Sequence, residues 1–251
     1  METEASLRGL RVLVTRPAAQ ADALCQMLAA RGADVLRLPL QAIAPARQPA
    51  LLMRALAEAR SAEAWIFTSV NAVEQARALD AGVWPRAIAV GAATAAALER
   101  LGVTVVAPAA SYNSEGVLAL PELQQCAGRR YALITGEDGR TLIADTLRAR
   151  GAELTTLAVY RRVDLPYPPA QIAELLAATD VAIVTSGEAL AQLARLLPAG
   201  DAGLLRRLQL VVPSQRVVEQ ARQIGVLAAP LMPEQVADAS YVRCLEAWHR
   251  R

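Results

Sequence analysis

Three stretches of this 251-residue chain return in altered form later in the sequence. RVLVTR with the later Arg31–Val35 (RGADV) comes back as YALITG with Arg150–Leu154 (RGAEL). Trp65–Leu79 (WIFTSVNAVEQARAL) comes back as Val181–Leu197 (VAIVTSGEALAQLARLL), and Ile88–Val103 as Leu210–Val226. The offset is roughly 120 residues in each case, which argues for a duplication and two similar domains. Any fold for this chain has to place both copies.

Within each copy, short β-branched runs alternate with stretches at helical spacing. Arg11–Thr15 and Asp34–Leu38 are predicted strands around a helix over Ala18–Arg31, which Gly32 closes. Further strands are expected at Ala64–Thr68, Arg86–Val90, Val103–Ala107, Tyr131–Thr135, Glu153–Tyr160, Val181–Thr185, Leu208–Val212 and Gly225–Ala228. Helices are expected at Ala50–Arg60, Val73–Leu79, Ala92–Arg100, Gly139–Arg150, Pro168–Ala178, Ala189–Leu197, Ser214–Gln223 and Glu234–Trp248, with a short one from Asn113. The runs are apolar without alternation, as strands covered on both faces are. The fold class is therefore α/β, with two similar parallel-sheet domains.

Two segments break the alternation. Pro39–Pro49 holds three prolines and no helical start signal, and Ala152–Pro169 runs from a strand through Tyr160, Arg161 and Arg162 into a proline-rich exit. Read as two crossings, they divide the chain discontinuously. Residues 1–38 plus 165–251 form domain 1, residues 46–156 form an inserted domain 2, and 39–45 with 157–164 are linker strands. The alternative is two sequential domains split near residue 125.

Composition narrows the chemistry. All 26 basic residues are arginine, which removes a lysine Schiff base and the P-loop lysine. His249 is the one histidine, so a Ser-His-Asp hydrolase or a multi-histidine metal site is not expected. Cys25, Cys126 and Cys244 are far apart and read as buried apolar residues of a reducing compartment. A net charge of +2 without a dense basic cluster disfavours nucleic acid as a partner. No apolar run approaches membrane-spanning length and the first residues carry no basic signal region, so the expected location is cytoplasmic, with no membrane partner. No metal and no cofactor are expected, and two domains in one chain suggest a monomer.

In parallel sheets, ligands bind beyond the carboxyl ends of the strands. Here those ends carry hydroxyls and glycines where helices begin, and a helix N-terminus favours an anion. The residues assigned to substrate binding are Arg16, Thr68, Ser69, Asn71, Gly91, Thr94, Ser114, Gly136, Glu137, Arg140, Thr185, Ser186, Ser214 and Arg216. Each hydroxyl is also a natural N-cap, which is the purely structural reading. Gly136-Glu137-Asp138-Gly139-Arg140 resembles an anion nest but lacks the G-x-G-x-x-G dinucleotide spacing. Tyr160, at the second crossing, is the candidate catalytic residue, since a phenol can donate a hydrogen bond to a leaving oxygen without ionising. Its structural alternative is a packing tyrosine at a strand end; Tyr112 and Tyr167 lie in looser loops.

Along nearly its whole length the chain resembles the uroporphyrinogen-III synthase family. The residues that carry the resemblance are LVTRP, WIFTSVNAV, the V-G-x-x-T-A-x-x-L-x-x-x-G-V segment, NSEGVL, ITGEDGRTLIADTLRARGAEL and AVYRR, in that order. One departure is Val212-Pro213-Ser214-Gln215-Arg216, where the second V-G-x-x-T would stand. The resemblance implies two α/β domains joined by a two-stranded ladder, with a linear tetrapyrrole in a cleft between them. It implies cyclising dehydration of hydroxymethylbilane to uroporphyrinogen III, with inversion of the terminal pyrrole through a spiro intermediate and without a cofactor. It places the family's tyrosine at Tyr160, assisting departure of the hydroxyl. Two other readings compete: a non-enzymatic two-domain binder of a small polyanion, and a nucleotide-sugar transferase, which the missing glycine fingerprint disfavours.

Overall fold

The computed structural model describes residues 6–109, 113–137, 139 and 141–250, leaving aside the Ala199 side chain. The chain forms two compact units, Met1–Ala42 with Val163–Arg251 and Ile43–Arg162.

The first unit opens with β1 (Arg11–Val14), α1 (Ala18–Ala29) and β2 (Asp34–Arg37). The chain leaves it through β3 (Gln41–Pro45). The second unit contains α2 (Pro49–Ala59), β4 (Ala64–Phe67), α3 (Val70–Leu79), β5 (Ala87–Ala89), α4 (Ala92–Glu99) and β6 (Val105–Val106). It continues with α5 (Ser114–Leu118), α6 (Pro121–Gln124), β7 (Arg130–Gly136), α7 (Leu142–Ala149) and β8 (Glu153–Asp164). Back in the first unit come α8 (Pro169–Ala177), β9 (Val181–Ile183) and α9 (Gly187–Leu196). A 3₁₀ turn (Ala199–Asp201), α10 (Ala202–Arg207), β10 (Gln209–Val211), α11 (Gln215–Ile224) and α12 (Asp238–His249) complete it.

The sheets have the orders β10-β9-β1-β2 and β3-β8-β7-β4-β5-β6. The pairings from β10 to β2, and from β8 to β6, are parallel. The repeat maps β1 and β2 onto β7 and β8, and β4 and β5 onto β9 and β10. The run β2-β1-β9-β10 of one sheet is therefore the run β8-β7-β4-β5 of the other. Each unit takes its strand–helix–strand from one copy of the repeat and its next two strands from the other copy. The duplication and the compact units are thus out of step with each other.

Both sheets are covered on both faces, which explains the uninterrupted apolar runs. In β1, Leu13 packs towards α8, α9 and α11, while Val12 and Val14 pack towards α1 and α12. In β4, Trp65 and Phe67 face α2, α3 and α4, while Ala64 and Ile66 face α5, α6 and α7. All of these are buried, and each large aliphatic or aromatic side chain contributes about 1.5–3 kcal/mol on leaving water. Arg11 and Asp180 pin β1 to β9 at their start: the Arg11 Nε and Nη2 donate to the carboxylate at 3.1 and 2.7 Å, and its backbone N–H at 2.9 Å.

One expected strand does not form. Gly225 takes a left-handed conformation, φ 90°, and ends α11. The Val226 N–H then returns to the Ala221 carbonyl at 3.0 Å, and the Leu227 N–H donates to the Arg206 carbonyl at 2.8 Å. These bonds close the ends of α11 and α10 and leave Gly225–Ala228 off the sheet. Among the described residues the chain beyond Ala228 meets β10 through an isolated bridge at Leu231, between Pro230 and Pro233, where missing N–H donors stop a ladder from growing. The last helix likewise starts at Asp238 rather than Glu234. Within the first linker, Gln41–Pro45 forms the strand β3, next to β8 in its sheet, and the Pro121 region is helical.

Candidate functional site

The strand ends of the second unit converge on a group of hydroxyls. β4 ends at Phe67, and Thr68 and Ser69 lead into α3. The Thr68 hydroxyl points across to β7, 3.4 Å from the Ile134 carbonyl and 3.1 Å from the Thr135 hydroxyl oxygen. Ser69 is extended and caps α3, its Oγ accepting from the Ala72 N–H at 3.1 Å. The same Oγ lies 3.2 Å from the Tyr160 hydroxyl.

Tyr160 reaches this position through a bulge. Thr135 pairs with Ala158 and Gly136 with Tyr160, so Val159 is the extra residue of β8. Leu154 packs on the α5–α7 face, whereas Leu157, Val159 and Tyr160 all pack on the α2–α4 face. Strict alternation would have sent Tyr160 to the side of Leu154. The Tyr160 residue is 3% exposed, its carbonyl accepts from the Glu137 N–H at 2.9 Å, and the Arg162 guanidinium lies 6.0 Å from its ring centroid.

The other assigned residues of this unit are distributed as follows. Asn71 lies in the first turn of α3, half-buried. Gly91 is the N-cap residue of α4, and Thr94, inside that helix, is buried. Ser114 is the buried first residue of α5, but the cap is Asn113, whose side-chain oxygen accepts from the Gly116 N–H at 2.8 Å. Glu137 is exposed and lies 3.5 Å from Arg47 Nε. Arg140, Asp138 and Tyr112 lie outside the described residues.

The first unit repeats the pattern with different endings. The Thr15 hydroxyl donates to the Ile183 carbonyl of β9 at 3.0 Å, as Thr68 reaches towards β7. Arg16 is paired with Asp238 and lies over the Tyr241 ring, 5.2 Å from its centroid. Tyr241 is fully buried, and burial pushes its phenol up in pKa against the pull of Arg16. Thr185 is half-buried, and Ser186 caps α9 by accepting from the Ala189 N–H at 3.0 Å. Ser214 occupies the N-cap position of α11 but accepts no capping hydrogen bond; Arg216 is exposed. The Gln220 side chain approaches the start of α9 instead, its Nε2 donating to the Gly187 carbonyl at 2.8 Å.

Each unit therefore presents helix N-termini at the carboxyl ends of its strands, a setting worth roughly 0.3–1 kcal/mol per helix towards an anion. Two of the grooves formed by the described residues lie elsewhere. One of about 560 Å³ runs between Leu231–Glu234 and α12, and one of about 450 Å³ lies at the amino ends of β4, β7 and β8. Neither contains the tyrosine–serine pair. Among the described residues no cluster of histidine, cysteine, aspartate and glutamate could hold a metal, and no helix is long and apolar enough to cross a membrane.

Sequence reasoning read Thr135 and Gly139 at the end of β7 and missed Arg162 and Gln220 as parts of these strand ends. A β-carbon on Gly139 would collide with the Thr135 hydroxyl, so Gly139 lies against that side chain. These contacts depend on register and loop path, which leave no local signal. Asn113 did leave one, as a capping residue three positions before the N–H it accepts.

A family model described as uroporphyrinogen-III synthase HemD matches residues 22–240. The chain is 35% identical over 226 residues to the uroporphyrinogen-III synthase of Escherichia coli (strain K12), covering 86% of this chain and 92% of that one. The corresponding protein of Salmonella typhimurium (strain LT2) is 34% identical over the same coverage. Among solved structures, a mutant selenomethionine form of uroporphyrinogen III synthase from the extremely thermophilic bacterium Thermus thermophilus aligns with TM-score 0.62 and 19% identity, covering 95% of this chain and all of that one (100%). The uroporphyrinogen-III synthetase of Helicobacter pylori 26695 aligns with TM-score 0.61 and 12% identity, over 96% and 100% of the two chains. At those identities the solved structures speak to the two-domain α/β fold, and the family follows from the model match and the curated relatives: the chain belongs to the uroporphyrinogen-III synthase family.

Proposed function

We propose that the chain converts linear hydroxymethylbilane into uroporphyrinogen III, with Tyr160 assisting loss of the terminal hydroxyl. The observation that carries this reading is the Tyr160 hydroxyl beside Ser69 Oγ, at the N-terminus of α3 and the carboxyl ends of β4 and β7. In the proposed reaction the pyrrole nitrogen lone pair expels the hydroxyl as the C–O bond breaks. A hydrogen bond from the phenol eases that departure, and the oxygen leaves as water. Carbon–carbon bond formation at the substituted position of the terminal ring gives the spiro intermediate. Rearrangement and loss of a ring proton complete the inverted macrocycle, so the net change is the loss of one water.

This chemistry asks little of a strong acid or base, because the substrate supplies its own driving electrons. It asks mainly that the bilane be held folded so that inversion outruns direct closure. The helix N-termini at the strand ends support binding of the substrate's acetate and propionate groups. The residues at those ends proposed to receive such groups are Thr68, Ser69 and Gly91 in the second unit and, separately, Thr185, Ser186 and Ser214 in the first.

The test is to supply hydroxymethylbilane to the purified protein and determine the isomer after oxidation. Isomer III is expected. Isomer I alone, the product of uncatalysed closure, would overturn the proposal.

A further inference from the structure

We infer that Gly136 is a positioning residue: with the Val159 bulge, its missing side chain seats the Tyr160 ring so that the phenol reaches Ser69. This rests on the reading of Tyr160 as the group that meets the substrate. The bulge turns Tyr160 onto the α2–α4 face, directly across from Gly136. A β-carbon on Gly136 would stand 2.7 Å from Tyr160 Cζ, 2.8 Å from Cε2 and 3.1 Å from the hydroxyl oxygen. All three are shorter than a van der Waals contact, and the ring, 3% exposed, is enclosed by the core.

The requirement for glycine is one of space. Gly136 is not among the glycines with positive φ, so its backbone accepts an L-residue. Alanine there adds one methyl and no backbone strain, which makes the substitution a clean probe of the ring seat. The neighbouring contacts fix the rest of the tyrosine. Its carbonyl is held by the Glu137 N–H at 2.9 Å, and its hydroxyl meets a serine oxygen that is itself held by the Ala72 N–H at 3.1 Å. A methyl at Gly136 displaces the ring away from β7 and takes the hydroxyl off Ser69.

The experiment is a double-mutant cycle on turnover and on melting temperature, using Gly136→Ala, Tyr160→Phe, Tyr160→Ala and the combinations. Gly136→Ala alone should lower kcat roughly tenfold to a hundredfold, as displacement of a reacting group by about 1 Å does. KM should change much less, and in the Tyr160→Phe background the same substitution should add little. Equal losses in both backgrounds would show that Gly136 acts independently of the phenol, and would overturn the proposal while leaving the role of Tyr160 intact. Wild-type turnover of Tyr160→Phe would instead remove that role. Melting keeps the seat testable if the single variant is too unstable to assay. Gly136→Ala should lower the melting temperature when the ring is present and have little effect in Tyr160→Ala. Equal destabilisation with and without the ring, or failure of the double variant to fold, would also overturn the proposal.

Discussion

The hydroxyls of Ser69 and Tyr160 lie 3.2 Å apart, although 91 positions separate them in the chain. Ser69 Oγ already accepts the Ala72 N–H as the cap of α3, so one oxygen joins a helix start to the bulge of a strand from the other half of the repeat. Ser69→Ala is expected to cost about 1 kcal/mol of stability through the lost cap. It should lower turnover as well, while Ser69→Thr keeps a hydroxyl for both contacts. Melting curves and turnover of the two variants check this; unchanged melting of Ser69→Ala would contradict the capping role.

Tyr160→Phe is expected to fold normally, because the ring fills the same space and the loss is a single hydroxyl. Turnover should fall by about 10²-fold or more, the usual contribution of a positioned proton donor. Circular dichroism with the isomer assay separates the two effects. Turnover equal to that of the wild type would leave Tyr160 as a packing residue.

Asp80 offers a pH-dependent test of the second unit. The residue is 6% exposed, its Oδ2 accepting from Trp84 Nε1 at 3.2 Å and its Oδ1 from the Gly82 N–H at 3.1 Å, and it is paired with Arg60. Burial raises its pKa, but the hydrogen bonds from Arg60, Gly82 and Trp84 together outweigh that and hold it below the ordinary carboxylate value. A carboxyl with a lower pKa in the folded state adds stability above its unfolded pKa, about 3.9, and loses it as pH falls through the folded value. Asp80→Asn should therefore cost about 1–3 kcal/mol near neutrality, and the gap to the wild type should close below about pH 4. Melting temperatures of both proteins over that range measure it. A gap independent of pH would mean that the charge contributes nothing.

The second unit is continuous in sequence, Ile43–Arg162, and both faces of its sheet are covered by its own helices. Expressed alone, it should unfold cooperatively in urea. The fragment Val163–Arg251 should not, because β9 would lose β1, its neighbour in the centre of the other sheet. Adding Met1–Ala42 in trans should recover structure, since that segment supplies β1 and β2. Circular dichroism and amide dispersion in NMR spectra report each outcome. Cooperative folding of Val163–Arg251 alone would show that β1 is dispensable.

Much of the architecture was legible in one dimension. Runs such as RVLVT and YALIT read as strands because side-chain burial on both faces leaves a continuous apolar stretch, and Gly32 and Gly151 marked helix ends by their backbone freedom. The duplication itself was visible as three returning patterns. Gly225–Ala228 misled for the same local reason: its apolar residues suit a strand, but the Arg206 carbonyl and the end of α11 take up its N–H groups. Ser114, assigned to substrate binding, is the buried first residue of α5, and the capping bond belongs to Asn113 beside it.

The sequence alone determined the alternation of strands and helices, the two similar domains and the hydroxyls placed at helix starts, because each follows from the preferences of neighbouring residues. The tertiary structure decided which hydroxyls meet. Arg16 is held by Asp238 from the far end of the chain, and Ser214 stands at a cap position without a capping bond, while Ser69 faces Tyr160. That last pairing depends on one extra residue in β8, Val159, measured against β7. A bulge is a relation between two strands, and only their register shows which face the next side chain takes.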